Sequence, residues 1–154
     1  MTGGRLARIS DYLKDETSFC MTYGDGLSDV NISKLISFHV NHGKMATLTS
    51  VLPPGKFGAL NIVDSQIQEF KEKPKGDGSY INGGFFVLNP EVLKLIGDDE
   101  CIWEQDPLMH LAKAGELMAF HHDGFWQPMD TLRDKNYLEE LWNSDNAPWK
   151  TWDD

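Results

Sequence analysis

The stretch Ser18-Phe19-Cys20-Met21-Thr22-Tyr23-Gly24-Asp25-Gly26 decides the fold class of this 154-residue chain. Its first six residues are mostly apolar, which is typical of a buried strand, and Gly-Asp-Gly predicts a tight loop at the strand's carboxyl end. A helical pattern follows, with Asp29 or Asn31 as its cap and Gly43 as its stop, and residues 45–52 indicate another strand. Strand, loop, helix and strand form a βαβ unit, which predicts an α/β protein.

The flanking segments predict a mixed sheet within a single domain, residues 1–154. Residues 59–63 and 66–70 indicate a hairpin that turns at Asp64-Ser65. The strand predicted at 80–88 contains Gly83-Gly84, which permits close approach by a ligand or another backbone. The remaining predictions are an opening loop at Gly3-Gly4, a helix at 6–13, a helix at 90–96, a helix capped by Asp106, brief strands at 117–120 and 125–126, and a helix at 131–142.

Charge and composition exclude several classes of function. Twenty-four acidic and fourteen basic residues give a net charge of −10, which disfavours binding to DNA or RNA. Cys20 and Cys101 are too few for a disulfide framework, and the apolar run around Cys20 predicts a buried thiol. No apolar stretch approaches the ~20 residues that span a bilayer, and no signal peptide is evident. We therefore expect a soluble cytoplasmic protein without a membrane partner.

Four charged residues, two aspartates and an adjacent Glu-Lys pair, are candidates for chemistry. Asp25 follows the first strong strand, where ligands of open α/β sheets gather, and its carboxylate can hold Mg²⁺; the alternative is an ordinary turn residue. Asp130 precedes a helix and can complete a two-carboxylate metal site, although local signals alone favour a plain N-cap. Lys73 can bind a phosphate as a point charge while Glu72 accepts sugar hydroxyls, or the two can be a solvated strand end.

The histidines carry weaker signals. His39 and His42 lie three residues apart on a predicted helix and can supply half of a metal site, but solvated helix histidines are the simpler interpretation. His121 and His122 are expected in a loop. No nucleophile elbow, Cys-x-x-Cys pair or Walker loop is present.

Five segments occur in an order that resembles the sugar-nucleotide pyrophosphorylase family. The resemblance runs from Thr2 to about Trp152. The Trp-Gln-Pro-Met-Asp-Thr stretch, where relatives that use other nucleotides tend to have a WxDxGT-like pattern, favours the cytidylyl branch. The segments are Thr2-Gly3-Gly4-Arg5-Leu6, Thr22-Tyr23-Gly24-Asp25-Gly26, Glu72-Lys73-Pro74, Ile81-Asn82-Gly83-Gly84-Phe85-Phe86-Val87 and Phe125-Trp126-Gln127-Pro128-Met129-Asp130-Thr131.

The resemblance implies a nucleotide-diphospho-sugar transferase fold, which is Rossmann-like, and a Mg²⁺-dependent reaction. CTP and glucose 1-phosphate would give CDP-glucose and pyrophosphate. CDP-glucose would be a precursor of deoxysugars in bacterial surface polysaccharide such as lipopolysaccharide. The enzyme would be a homo-oligomer. Such a phosphoryl transfer needs positioning and charge neutralisation more than covalent help. The resemblance assigns the metal to Asp25 and Asp130, the sugar phosphate to Lys73, the sugar to Gly58, Glu72 and Asn82, and the nucleotide to Thr2, Gly3 and Arg5.

One departure from the family pattern leaves two functions open. Family members begin with a strand and a glycine-rich loop bearing Arg and then Lys, and nothing before Thr2 matches them. We therefore expect the C-terminal portion of a nucleotidyltransferase domain, an exposed sheet edge and weak activity of this chain alone. The alternative is a non-catalytic remnant that binds sugar phosphate or forms oligomers.

Overall fold

The computed structural model describes residues 1–53, 55, 59–71 and 79–152. The chain forms two compact units. The first unit comprises Met1–Tyr23, Asn31–Thr49 and Gly84–Phe120, and the second comprises Gly24–Val30, Ser50–Gly83 and His121–Asp154. The single domain remains a prediction.

Helices and strands alternate along the described residues, so the α/β prediction is confirmed. The helices are α1 (Thr2–Arg8), α2 (Ser10–Leu13), α3 (Ile32–His42), α4 (Asp106–Lys113) and α5 (Leu132–Asn143), with a 3₁₀ helix at Pro90–Leu95. The strands are β1 (Phe19–Thr22), β2 (Gly26–Ser28), β3 (Ala46–Val51), β4 (Ala59–Val63), β5 (Gln66–Lys71), β6 (Ile81–Leu88), β7 (Leu117–His122) and β8 (Trp126–Pro128).

The main sheet has four strands in the order β1-β6-β3-β7, with both parallel and antiparallel neighbours, as predicted. β1 is an edge strand of this sheet and pairs antiparallel with β6, in a register that places Phe19 opposite Leu88. Two smaller antiparallel ribbons join β2 to β8 and β4 to β5. The brief strand predicted at 125–126 corresponds to β8, whereas β2 and its pairing with β8 are not predicted, because a strand of three residues is too short to show a period.

A single apolar cluster stabilises the first unit. Trp103 is completely buried, and its ring meets that of Phe86 edge-on at a centroid distance of 6.1 Å. Large aromatic side chains remove much apolar surface from water, and such ring pairs contribute further. The buried members of the cluster are Leu6, Ala46, Phe86, Leu88, Val92, Trp103, Leu108 and Leu111.

The glycine pair at the start of the chain lies in a helix, so the predicted loop is wrong. Gly3 and Gly4 belong to α1 and are buried. The Gly3 N–H donates to the carbonyl of Cys101 at 3.0 Å, and a Cβ on Gly3 would lie 2.8 Å from that oxygen. A Cβ on Gly4 would collide with the Asp99 carbonyl. Close packing of α1 therefore outweighs the low helix propensity of glycine.

The predicted helix ends are confirmed at α3 and corrected at α4. The side chain of Asn31, rather than Asp29, caps α3 by accepting from the Lys34 N–H at 2.9 Å, and Gly43 ends the helix at φ 64°. Gln105, rather than Asp106, occupies the N-cap position of α4, without a side-chain hydrogen bond. Asp106 is instead the first helical residue, where its charge suits the helix dipole.

The predicted hairpin is confirmed, whereas the predicted burial of Cys20 is wrong. Asp64 and Ser65 connect β4 to β5 with φ of 49° and 67°, a conformation typical of tight hairpin turns. The Cys20 side chain is exposed because residues of β1 alternate between faces, and Phe19 and Met21 pack against the core instead. No helix in the described ranges has the length and apolar character needed to cross a membrane.

Candidate functional site

The two candidate metal ligands lie at the same end of the β2–β8 ribbon. The antiparallel register places Gly26 opposite Pro128, so Asp25 and Met129 are the next residues beyond the paired strands. The Met129 N–H donates to the Asp25 carbonyl at 2.8 Å, which continues the pairing by one step. Asp130 follows directly. Two acidic residues separated by more than a hundred positions in the chain are thereby brought together within the second unit.

Asp130 lies in a connection that is fixed on both sides. Before it, Met129 is bound to Asp25. After it, Thr131 caps α5 in a capping box: its hydroxyl accepts from the Asp134 N–H at 3.2 Å, and its own N–H donates to the Asp134 carboxylate at 3.0 Å. The plain N-cap interpretation of Asp130 is therefore wrong, because Thr131 holds that position. The Asp130 side chain is exposed and is not needed to start the helix.

Asp25 also has an exposed side chain, and it occupies a turn between β1 and β2. Carboxylate oxygens are ligands that Mg²⁺ accepts, and Mg²⁺ usually retains several waters. Among the described residues, no group of three or more His, Cys, Asp or Glu side chains can hold a metal ion. Asp25 and Asp130 thus offer two exposed carboxylates at one ribbon end, and an ion held there would need its remaining ligands from water or from another bound molecule.

Asn82 lies in the same unit as this pair. It precedes Gly83 in β6, and the Gly83 carbonyl accepts from the indole Nε1–H of Trp126 in β8 at 2.8 Å. Sequence reasoning did not single out Trp126 as a structural link. Its place within the Trp-Gln-Pro-Met-Asp-Thr segment was the available signal.

The second glycine of Gly83-Gly84 permits close approach by a side chain, rather than by a ligand or a backbone as expected. Gly84 has a φ of 79°, and a Cβ there would lie 2.5 Å from Cδ2 of the Tyr23 ring. The Tyr23 hydroxyl donates to Glu104 Oε1 at 2.5 Å, and its ring packs edge-on against Phe86. Gly84 therefore serves the packing of the first unit.

The other predicted site residues fall into two groups. Thr2, Gly3 and Arg5 lie on α1 in the first unit, where Arg5 is exposed and Gly3 is buried against Cys101. Gly58, Glu72 and Lys73 lie outside the described residues, so their assigned roles remain predictions.

The histidines have structural partners. His39 is only 5% exposed, and its Nδ1 lies 2.9 Å from Thr47 Oγ1, while His42 Nε2 lies 2.7 Å from the same oxygen. The prediction of solvated helix histidines is therefore wrong, because this face of α3 packs on β3. Burial lowers the pKa of both rings. The neighbouring His42 further lowers the pKa of His39, and the neighbouring Lys44 further lowers the pKa of His42. His121 and His122 lie in β7 rather than in a loop.

Comparison with known proteins agrees with the fold. A family model described as nucleotidyl transferase matches residues 2–128, and the chain belongs to this family. Among its relatives, "Glucose-1-phosphate cytidylyltransferase" of Salmonella typhi is 63% identical over 99% of this chain. "Probable glucose-1-phosphate cytidylyltransferase" of Bacillus subtilis is 42% identical, also over 99% of the chain. The chain spans about 60% of the length of these two curated relatives.

Solved structures support the same fold. HddC from Yersinia pseudotuberculosis superposes with a TM-score of 0.66 at 21% identity, over 92% of this chain and 62% of that chain. A putative glucose-1-phosphate thymidylyltransferase from Bacillus anthracis gives a TM-score of 0.62 at 18% identity, over 97% of this chain and 61% of that chain. The predicted nucleotidyltransferase fold is confirmed.

Proposed function

We propose that this chain is the main part of a glucose-1-phosphate cytidylyltransferase, which forms CDP-glucose and pyrophosphate from CTP and glucose 1-phosphate. The observation that carries the proposal is the hydrogen bond from Met129 N–H to the Asp25 carbonyl, which brings Asp25 and Asp130 together. The names of the Salmonella and Bacillus relatives support the choice of nucleotide and sugar. The predicted link to lipopolysaccharide biosynthesis rests on the same resemblance.

Asp25 and Asp130 would hold Mg²⁺ in the complete enzyme. The ion supplies positive charge against the phosphates of the nucleotide, where negative charge develops during the transfer. Asp25 and Asp130 would hold the ion through their carboxylate oxygens, and the backbone segments that carry them are hydrogen-bonded to each other. Because both side chains are exposed, they can reach an ion that also contacts substrate.

The remaining residues would bind the two substrates. Lys73 would hold the sugar phosphate, and Gly58, Glu72 and Asn82 would contact the sugar. Thr2, Gly3 and Arg5 would contact the nucleotide, with exposed Arg5 as the group free to meet a phosphate from α1. The in-line attack of the sugar-phosphate oxygen on the α-phosphorus then depends on positioning by these groups.

We also propose a cytoplasmic homo-oligomer. Large apolar side chains on and beyond α5 stand in solvent: Leu132 is 71% exposed, Trp142 48% and Trp152 53%. Exposed apolar surface of this kind is typical of subunit contacts. Light scattering coupled to gel filtration should give a mass that is a multiple of 17.4 kDa, and a monomer at micromolar concentration would contradict the proposal.

Mn²⁺ is a suitable probe for the metal site because it replaces Mg²⁺ and broadens nearby amide signals in NMR spectra. In the 154-residue chain, Mn²⁺ should broaden the amides of Gly26 and Thr131 first, and Asp25→Asn should abolish this selectivity. Asp145→Asn is the matched control, because Asp145 is exposed and Asn tolerates its φ of 56°. Equal broadening in wild type and Asp25→Asn would refute the metal site.

Calorimetry then tests the substrates. We expect binding of Mg²⁺–CTP and of glucose 1-phosphate by the same chain, with CTP binding lost in Asp25→Asn. Binding of glucose 1-phosphate without any affinity for Mg²⁺–CTP would favour the non-catalytic alternative.

A further inference from the structure

A polar cluster occupies the end of the β2–β8 ribbon opposite to Asp25 and Asp130. We call it the His122 cluster; it consists of Ser28, Asp29, His122 and Phe125. His122 Nε2 lies 2.9 Å from Asp29 Oδ1, 3.1 Å from Ser28 Oγ and 3.2 Å from the Phe125 carbonyl. Ser28 Oγ donates to that carbonyl at 2.7 Å. The Phe125 N–H donates to Asp29 Oδ1 at 2.7 Å.

The cluster contains serine, histidine and aspartate but cannot work as a hydrolytic triad. In a triad the ring contacts the acid through one nitrogen and the nucleophile through the other. Here Ser28 and Asp29 both approach Nε2. The Phe125 carbonyl and the Asp29 carboxylate only accept hydrogen bonds, so Nε2 carries a proton and donates it. His122 is therefore a structural donor that joins the two sides of the ribbon.

This link matters because the ribbon is short. β2 and β8 contain three residues each, and isolated two-stranded ribbons are marginally stable in water. At one end the Asp29 N–H donates to the Phe125 carbonyl at 3.2 Å, and at the other the Met129 N–H donates to the Asp25 carbonyl at 2.8 Å. The turn before β8 packs closely on the cluster, since a Cβ at Gly124 would collide with Asp29 Oδ1.

We propose that His122, through the contacts of its Nε2 with Asp29 and the Phe125 carbonyl, is a positioning residue that fixes the ribbon register and thereby the relative placement of Asp25 and Asp130. The metal-binding consequence rests on the proposed function, whereas the register itself does not. Loss of the His122 donor weakens one end of a three-residue ribbon, and the pairing at the other end then opens more often.

Amide hydrogen exchange in the 154-residue chain tests the register directly. The reporter is the Met129 amide, and the Lys135 amide, which donates to Thr131 within α5, is the internal reference. In His122→Ala we expect Met129 exchange to rise about tenfold relative to Lys135. His122→Gln retains a donor near the position of Nε2 and should keep most of the protection. Ser28→Ala, a milder change, should raise the ratio by less.

Leu138→Ala is the control for general destabilisation. Leu138 is 5% exposed in α5 and lies in the same unit, so its truncation lowers stability without removing a hydrogen bond of the ribbon. It should leave the Met129-to-Lys135 ratio unchanged. In parallel, the Mn²⁺ concentration that half-broadens the Gly26 and Thr131 amides should rise about tenfold in His122→Ala but stay unchanged in Leu138→Ala.

Each outcome is decisive. An unchanged exchange ratio in His122→Ala and Ser28→Ala, or an equal rise in Leu138→Ala, overturns the proposal. A raised ratio with unaltered Mn²⁺ affinity overturns the positioning role. If wild type shows no selective Mn²⁺ effect, the proposed function fails, while the exchange ratio still decides whether His122 sets the register.

Discussion

Two threonines on β3 are equally buried but differ in their partners. Thr47 and Thr49 are both 0% exposed. Thr47 Oγ1 contacts His39 and His42, whereas Thr49 Oγ1 has no hydrogen-bond partner within the described part of the chain. Burying a hydroxyl without a hydrogen-bond partner destabilises the folded state. The hydrogen bonds of a hydroxyl with two partners offset that cost.

Replacing each threonine by the isosteric valine should therefore have opposite effects. We expect Thr49→Val to raise the free energy of unfolding by about 1 kcal/mol, and Thr47→Val to lower it by about 1–3 kcal/mol. Urea unfolding of the two variants beside wild type measures both values. Equal losses in the two variants would contradict the assignment.

The hydrogen bonds around Thr47 fit neutral histidines. His42 Nδ1 accepts from the Lys44 N–H at 2.9 Å, so the proton of the neutral ring is on Nε2 and is donated to Thr47. Thr47 can then donate its own proton to His39 Nδ1. The lowered pKa of both histidines, caused first by burial, agrees with this arrangement.

Stability should consequently fall in mild acid. Because the pKa values of His39 and His42 are lower in the folded state than their ordinary value of about 6.5, the unfolded chain binds more protons just below that pH. The contribution is complete above about pH 6.5 and is lost as the pH falls toward the folded-state values. Urea unfolding at several pH values measures the slope.

The double variant His39→Gln/His42→Gln provides the control for this pH effect. It should show a shallower slope between about pH 6.5 and pH 5. The lowered pKa of the Glu116 carboxyl, due first to its hydrogen bond with Lys44, acts at lower pH and should remain in both proteins. Identical slopes in the two proteins would rule out the histidines as the cause.

At the scale of elements, the start of α5 places a structural residue beside a proposed metal ligand. Thr131 caps the helix, while the neighbouring Asp130 does not. Thr131→Ala should lower the free energy of unfolding by about 1 kcal/mol. Asp130→Asn should change it by less than about 0.5 kcal/mol but remove selective Mn²⁺ broadening. Thermal unfolding measures the stability of both variants, and NMR titration measures their Mn²⁺ broadening. A large loss of stability in Asp130→Asn would contradict the assignment.

Elements with strong local signals could be predicted from the sequence, and elements fixed by packing could not. α3 carries an Asn cap, an apolar period and a glycine stop, so its position followed directly. Gly3 and Gly4 are poor helix formers, so the sequence predicts a loop at the start of α1. Glycine is needed there because the backbone of residues 99–101 leaves no room for a Cβ. Such contacts between distant segments leave no periodic trace in the sequence.

The same distinction holds for the candidate site. Asp25 and Asp130 could be singled out because each follows a predicted strand and matches a family segment. That they share one end of a ribbon depends on the pairing of β2 with β8, whose three-residue strands show no pattern. The surroundings of His39 and His122 were equally hidden, since a histidine's position in the sequence does not reveal its hydrogen-bond partners.

At the scale of the whole molecule, the net charge of −10 favours cations near the exposed carboxylates. Long-range attraction of this kind weakens with salt, because the Debye length falls from about 30 Å at 0.01 M to about 10 Å at 0.1 M ionic strength. We expect the Mn²⁺ concentration that half-broadens the Gly26 amide to rise several-fold over this range. Sucrose at equal osmolality is the control, and an affinity independent of salt would contradict a role for net charge.

Cys20 faces outward on edge strand β1, so a label on its thiol can report the distance to an ion bound near Asp25. The other cysteine, Cys101, is half-buried beside Gly3. Asp25 lies five positions after Cys20, so their Cα atoms lie no more than about 18 Å apart even in a fully extended chain. A nitroxide attached to the Cys20 thiol would therefore relax strongly beside a paramagnetic ion held by Asp25, and only weakly beside one bound at a remote surface.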